Sequence, residues 1–180
     1  MLPITIPANE LWDERKQEFI QFKEQKLLLE HSLVSLSKWE SKWNKAFLGK
    51  QPKSVEETLD YIKCMTLTQN VNPDVYRNIT NDNIEEINRY IEAPMTATVF
   101  TKNVNSRMNR EVVTSELIYY WMITLNIPFE CQKWHLNRLL TLIRVCNVKN
   151  TPPKKMSKRS IMSQNAALNA ARRKQLNSNG

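Results

Sequence analysis

Apolar and polar residues alternate at the start of the chain, and from Ser32 onwards the apolar residues recur with helical spacing. Leu2, Ile4 and Ile6 alternate with a threonine and prolines, which predicts a short strand at a sheet edge. The run Lys26–Glu30 is too short to distinguish a second strand from the start of a helix. We therefore expect a small two-stranded element followed by helices.

Helical spacing, capping residues and helix breakers predict helices over most of the remaining chain. The clearest start is Ser54-x-x-Glu57, a capping box in which each side chain accepts a hydrogen bond from the backbone N–H of the other residue. Thr80, Thr114 and Ser157 are further N-cap candidates. The predicted helical ranges are about 33–47, 54–66, 73–76, 80–92, 114–125, 130–148 and 158–175.

The predicted helix 130–148 is apolar on most sides, which is typical of a helix at the centre of a core. Residues 95–100 could be extended, and the polar, basic residues 101–110 predict an exposed loop. The fold class we predict is mainly α, a compact helical domain with a short N-terminal β element and a basic C-terminal helical or flexible arm. The side chains predicted to form the core are Trp134, Leu139, Leu140, Ile143, Trp121 and Leu117.

The charge of the chain is concentrated at its C-terminal end. The sequence has 26 Lys and Arg against 18 Asp and Glu, and residues 149–180 contain eight bases and no acid. We place a domain boundary here, with the helical domain at 1–150 and the C-terminal arm at 151–180. Such an arm can bind phosphate backbones, dock on an acidic protein surface or remain a solvated end. The predicted contact residues of the arm are Lys154, Lys155, Lys158, Arg159, Arg172, Arg173 and Lys174.

Composition excludes several classes of protein. Gly49 and Gly180 are the only glycines, so neither a P-loop nor a dinucleotide-binding fingerprint can be written in this sequence. No apolar run approaches the roughly 18 residues of a membrane span, and the N-terminal residues do not resemble a secretory signal. The three cysteines are an odd number and are interpreted as reduced thiols of a cytoplasmic protein.

The histidines and cysteines do not form a convincing reactive or metal-binding group. Cys131 and His135 are spaced to share a helix face, but two ligands do not make a metal site. Cys64 and Cys146 lie on other apolar stripes, and we expect core thiols rather than nucleophiles. For His31 we expect a solvated or capping role.

Two further groups have both a functional and a structural interpretation. The neighbouring carboxylates Glu56, Glu57 and Asp60 could act as acid and base, but we expect them to serve the helix dipole and solubility. Trp39 and Trp43, among lysines, could stack on nucleic-acid bases, but their spacing is more typical of a buried helix face. We predict no catalytic residue, no metal and no cofactor, and hence no enzyme.

Six segments of the chain together have a recognisable pattern. They are Ser37–Trp43 (SKWESKW), Glu57–Asn70 (ETLDYIKCMTLTQN), Pro94–Thr98 (PMTAT), Phe129–Val145 (FECQKWHLNRLLTLIRV), Pro152–Ser157 (PPKKMS) and Asn165–Arg173 (NAALNAARR). With these segments the chain resembles a family of small tail-morphogenesis proteins from siphophages and prophages of Gram-positive bacteria. The resemblance extends over essentially the whole chain, and it brings no catalytic residues.

The resemblance implies a tail assembly chaperone that binds the tape-measure protein, or the tail-tube protein, in the host cytoplasm during virion morphogenesis. Two alternatives stay open. One is a structural component of the virion in the tail, neck or capsid, and the other is a nucleic-acid-binding protein that acts through the arm. Self-association is a further expectation, and no membrane partner is expected.

Overall fold

The computed structural model describes residues 1–13, 17–100, 112–151 and 157–176. The predicted loop 101–110 and two of the predicted arm contacts, Lys154 and Lys155, lie outside the described residues. The chain divides into two units, Met1–Asn147 and Val148–Gly180.

The predicted two-stranded element is present at the N-terminus. Strand β1 (Leu2–Ile6) pairs antiparallel with strand β4 (Gln25–Leu29), and Leu2 lies opposite Leu29. The apolar side chains of β1 that alternate with polar ones, Ile4 and Ile6, are buried. The run Lys26–Glu30 is therefore mostly strand. Strand β4 also contacts a segment further along the chain, because the Leu67 N–H donates to the Leu28 carbonyl.

A second strand pair, which the sequence did not indicate, lies between β1 and β4 in the sequence. Strand β2 (Asn9–Asp13) pairs antiparallel with strand β3 (Glu18–Phe22), and Asn9 lies opposite Phe22. The Gln21 side-chain amide donates to the Glu10 carboxylate across this pair at 2.8 Å. Both pairs are antiparallel, and β2 and β3 lie between β1 and β4 in the sequence, so the four strands form an interrupted β-hairpin.

Helices make up most of the described chain, which confirms the mainly α fold class. The capping boxes at Ser54 and Thr80 are both formed, and Ser32 opens the first helix in the same way. Thr114 also accepts the hydrogen bond expected of an N-cap. The helices are α1 (Leu33–Trp43), α2 (Val55–Met65), the 3-10 helix Pro73–Asn78, α3 (Asn81–Glu92), α4 (Ser115–Thr124), the 3-10 helix Phe129–Lys133, α5 (Leu136–Asn150) and α6 (Lys158–Leu176).

The first helix is shorter than predicted. It ends at Trp43 because Asn44 adopts a left-handed conformation with φ 51° and donates its N–H to the Glu40 carbonyl. Phe47 therefore follows the helix instead of continuing it. Its side chain is nevertheless buried and stacks on Tyr61, with ring centroids 3.9 Å apart.

The prediction of one continuous helix over 130–148 is wrong. The 3-10 helix Phe129–Lys133 is followed by a break, and α5 begins only at Leu136. The break arises because His135 bridges Ser32 in a strand-like contact, and the Leu136 N–H donates to the His31 carbonyl at 2.7 Å.

The core of the unit Met1–Asn147 is formed by β1, β4 and the inner faces of α1–α5. Of the residues predicted to form it, Leu139 and Ile143 are buried. Trp134, Leu140 and Trp121 are half-buried and pack against this core, and Leu117 is half-buried. The most deeply buried large side chains are Trp39, Ile6, Leu27, Leu29, Leu33, Leu36, Ile62, Met65, Ile87, Ile118, Met122 and Leu136.

Candidate partner-binding surfaces

Both histidines of the chain are buried and lie against each other in the core. Their ring centroids are 5.1 Å apart. His31 Nδ1 is hydrogen-bonded to the Tyr61 hydroxyl at 2.6 Å, and His135 Nε2 lies 3.0 Å from the Tyr90 carbonyl. The Tyr90 hydroxyl donates to Glu30 at 2.7 Å. The expectation of a solvated or capping His31 is therefore wrong, because this side chain belongs to a buried polar network.

Burial explains how these side chains ionise. Burial is the main cause that lowers the pKa of His31 to about 3, and the neighbouring His135 contributes in the same direction. It also lowers the pKa of His135 and raises the pKa of Tyr61 and Tyr90. Both imidazoles are thus neutral at pH 7. A network with satisfied hydrogen bonds and little solvent contact is typical of core structure rather than of proton transfer to a substrate.

The tryptophan pair of α1 forms part of the buried helix face, as the spacing favoured. The Trp39 indole N–H donates to the Glu57 carbonyl at 2.8 Å, and the Trp43 indole N–H donates to the Asp60 carboxylate at 3.0 Å. Lys42 forms an ion pair with the same carboxylate. Trp39 is fully buried, so its ring presents no open face on which a base could stack, and Trp43 is half-buried.

The carboxylates at the start of α2 are held in the fold more firmly than we expected. Glu57 is buried, pairs with Lys45 and accepts the Ser54 N–H of the capping box. The hydrogen bond from Lys45 is the main cause that lowers the pKa of Glu57. Asp60 is buried as well, and only Glu56 is exposed. Solubility is therefore not the role of Glu57 and Asp60.

Glu40 is a buried carboxylate to which the sequence interpretation gave no role. Glu40 accepts the Phe47 N–H at 2.8 Å through one oxygen and the Ser115 N–H at 2.7 Å through the other. It thus joins the segment after α1 to the N-terminus of α4. The signal was available, because Glu40 falls within the apolar spacing of α1, where a charged residue needs buried partners.

Two of the three thiols, those of Cys131 and Cys64, are not activated. Burial raises the pKa of Cys131 and of Cys64, which is the opposite of what a nucleophilic thiol requires. Cys131 lies in the 3-10 helix and His135 in the break after it, so the two do not share a helix face. Among the described residues, no three His, Cys, Asp or Glu side chains are grouped so that they could hold a metal ion.

A groove of about 490 Å³ lies between α1, α2 and the 3-10 helix Pro73–Asn78. Trp43, Leu59 and Tyr76 contribute to its apolar lining. Its charged residues are balanced, and two of its carboxylates already pair with bases of the same groove, Asp60 with Lys42 and one further aspartate with an arginine. The groove therefore has no excess of positive or negative charge that would select a charged ligand.

The C-terminal arm contains the helix α6, which buries none of its side chains. Ser157 accepts the Ser160 N–H at 3.2 Å, in agreement with its predicted role as a cap. The helix has no acidic residue, and within the described part of the chain none of its bases forms an ion pair. The predicted arm contacts that lie on it, all exposed, are Lys158, Arg159, Arg172, Arg173 and Lys174.

An exposed apolar surface on α4 and the following 3-10 helix was missed at the sequence level. It consists of Tyr119, Tyr120, Ile123 and Phe129, which we call the α4 patch. Tyr120, Ile123 and Phe129 are 60%, 61% and 51% exposed. A helix that is apolar on all sides is normally buried, so an exposed face on such a helix indicates a surface for a partner.

Comparison with models of known protein families, with curated proteins and with solved structures finds no match to this chain. In the described part of the chain, no helix has the length and apolar character needed to cross a lipid bilayer. The interpretation of the surfaces therefore depends on their own chemistry.

Proposed function

We propose that this protein is a tail assembly chaperone-like binding protein that holds another phage tail protein during virion morphogenesis and has no catalytic activity. The partner is the tape-measure protein or the tail-tube protein, and the arm makes the contact. The protein acts in the host cytoplasm and leaves before the particle is complete.

The observation that carries this proposal is the exposure of α6. A helix of 19 residues with no buried side chain gains nothing from tertiary packing, which is the main source of helix stability in proteins. Its bases and the exposed side chains of Ile161, Met162 and Leu168 are instead available to a partner. The buried histidines, paired carboxylates and unactivated thiols support a binding role over a catalytic one.

The test is co-expression with the tape-measure protein and, separately, with the tail-tube protein of a phage that encodes this chain. The full-length chain is compared with the variant R172E/R173E/K174E, and K23E/R89E serves as a control at exposed bases outside the arm. We expect the wild type and the control to keep the tape-measure protein soluble and to co-elute with it after nuclease treatment. The arm variant should lose both properties.

The alternatives give different results in the same experiment. A protein that remains in purified virions in stoichiometric amounts is a structural component. Recovery of nucleic acid, with an affinity that falls steeply with salt and no tail protein bound, indicates a nucleic-acid-binding protein. If the tape-measure and tube proteins behave identically with wild type and arm variant, the proposed function is wrong.

A further inference from the structure

We propose that the α4 patch is a self-association surface and that it is occupied by α6 of a second copy of this chain. The contact is head-to-tail, because the patch of one copy receives the arm of another. The proposal concerns the purified protein alone and does not depend on the identity of any tail protein.

The α4 patch is continuous, because its members are neighbours on the helix or touch through their rings. Tyr120 and Ile123 are three residues apart and Tyr119 and Ile123 four apart, which places each pair side by side on α4. The rings of Tyr119 and Phe129 are in contact, with centroids 6.4 Å apart. The Tyr119 hydroxyl donates to Gln132 at 2.9 Å and fixes this ring in place.

Two acidic residues are sequence neighbours of the α4 patch. Glu116 lies in the first turn of α4, four residues before Tyr120, and Glu130 follows Phe129 directly. Both are exposed. Lys133 lies one turn after Glu130, so we expect the stronger attraction for a base at Glu116. The surface therefore combines an apolar centre with exposed carboxylates in its sequence neighbourhood.

Helix α6 has the complementary arrangement. Ile161 and Leu168 are seven residues apart, so they lie on the same face, separated by about 10 Å along the helix. Bases stand at both ends of this apolar pair, Lys158 and Arg159 before it and Arg172 with its neighbours after it. The ten residues of α4 span about 15 Å, long enough to accept both apolar side chains.

The chain itself therefore supplies an occupant that matches the patch in length, apolarity and charge. A second copy is the partner that is present whenever the protein is present. The contact is small, so we expect a weak, salt-sensitive association in the micromolar range. Because arm and patch are different surfaces, two copies can exchange arms around a two-fold axis, and a non-reciprocal contact can continue to higher oligomers.

The experiment is sedimentation velocity of the full-length protein over a wide concentration range, at low and at high salt. The first variant, E116K/E130K, reverses the charges beside the patch. The second, R172E/R173E, reverses the charges of the arm. We expect each variant alone to associate at least tenfold more weakly than the wild type, because like charges then face each other.

The decisive sample is the equimolar mixture of the two variants. The unaltered arm of the first fits the unaltered patch of the second, and the two reversed surfaces fit each other, so the mixture should regain association. The control E85K/E86K changes two exposed acids of α3 and should behave like the wild type. Circular dichroism checks that each variant is folded. A further variant, Y120S/I123S, removes the apolar centre of the patch at exposed positions and should also weaken the association.

Three results would overturn the proposal. One is a wild type that stays monomeric up to millimolar concentration. Another is an arm variant that associates as strongly as the wild type, which would mean that α4 patches pair with each other. The last is a mixture that remains as weakly associated as its two components.

Discussion

The substitution Glu40→Gln tests the internal architecture most sharply. Each oxygen of the Glu40 carboxylate accepts one backbone N–H, from Phe47 and from Ser115, in a buried environment. Glutamine has nearly the same shape but only one accepting oxygen, and its NH2 group would face a second N–H donor. The substitution therefore removes one hydrogen bond, weakens the other and creates a repulsive contact.

The expected loss follows from the magnitude of such bonds. A hydrogen bond to a charged group contributes about 1.5–3 kcal/mol, and a buried donor left without an acceptor costs about 1–3 kcal/mol. Ser115 is the first residue of α4, where a negative charge also interacts favourably with the helix dipole. We expect E40Q to lower the free energy of unfolding by about 2–4 kcal/mol, and E40A by at least as much.

Urea unfolding followed by tryptophan fluorescence measures this change, and an unaltered slope shows that the unfolded state is the same. The control is E86Q, which neutralises an exposed carboxylate of α3 and should change stability by less than about 0.5 kcal/mol. If E40Q is as stable as E86Q, the carboxylate does not hold the two segments together and the reasoning fails.

Three further predictions concern the core. Because the pKa of His31 falls to about 3 in the fold, only the unfolded state takes up this proton near pH 6.5, so stability should fall by about 1.4 kcal/mol between pH 7.5 and 5.5. The lowered pKa of His135 adds to this fall in stability. In H31Q the part of the fall that is due to His31 should disappear, and a wild type whose stability does not change with pH would contradict the prediction. The substitution W39A should lower the free energy of unfolding by about 3–5 kcal/mol, because Trp39 is fully buried. W134A should lower it clearly less, because Trp134 is half-buried against Arg138, and denaturant titration can rank the two variants. Iodoacetamide at pH 7 should modify Cys131 far more slowly in the native protein than in urea, as mass spectrometry of the peptide would show, and equal rates would disprove its burial.

Local features were predictable because their partners are sequence neighbours. The starts of α2 and α3 were placed correctly since Ser54 and Thr80 each bond to a residue three positions later. The basic arm was equally visible, because charge composition can be read without a fold. The bases of α6 could thus be predicted as contact residues from the sequence alone.

The errors come from contacts and backbone conformations that the apolar pattern of a segment does not show. The break before α5 depends on the His31 carbonyl, and the end of the first helix on a left-handed Asn44. The inner strand pair depends on cross-strand hydrogen bonding, which its mixed composition does not show. The α4 patch was missed because every apolar residue of α4 suggested core, and only packing decides that Tyr120 and Ile123 stay exposed.

The central claim is that the basic helix α6 binds a tail protein. It is tested most directly by a nuclease-treated pull-down from phage-infected cells, with wild type and R172E/R173E/K174E as baits and K23E/R89E as the control. The account predicts that the tape-measure or tube protein is recovered with wild type and control but at least tenfold less with the arm variant. Equal recovery of the same tail protein with all three baits would contradict it.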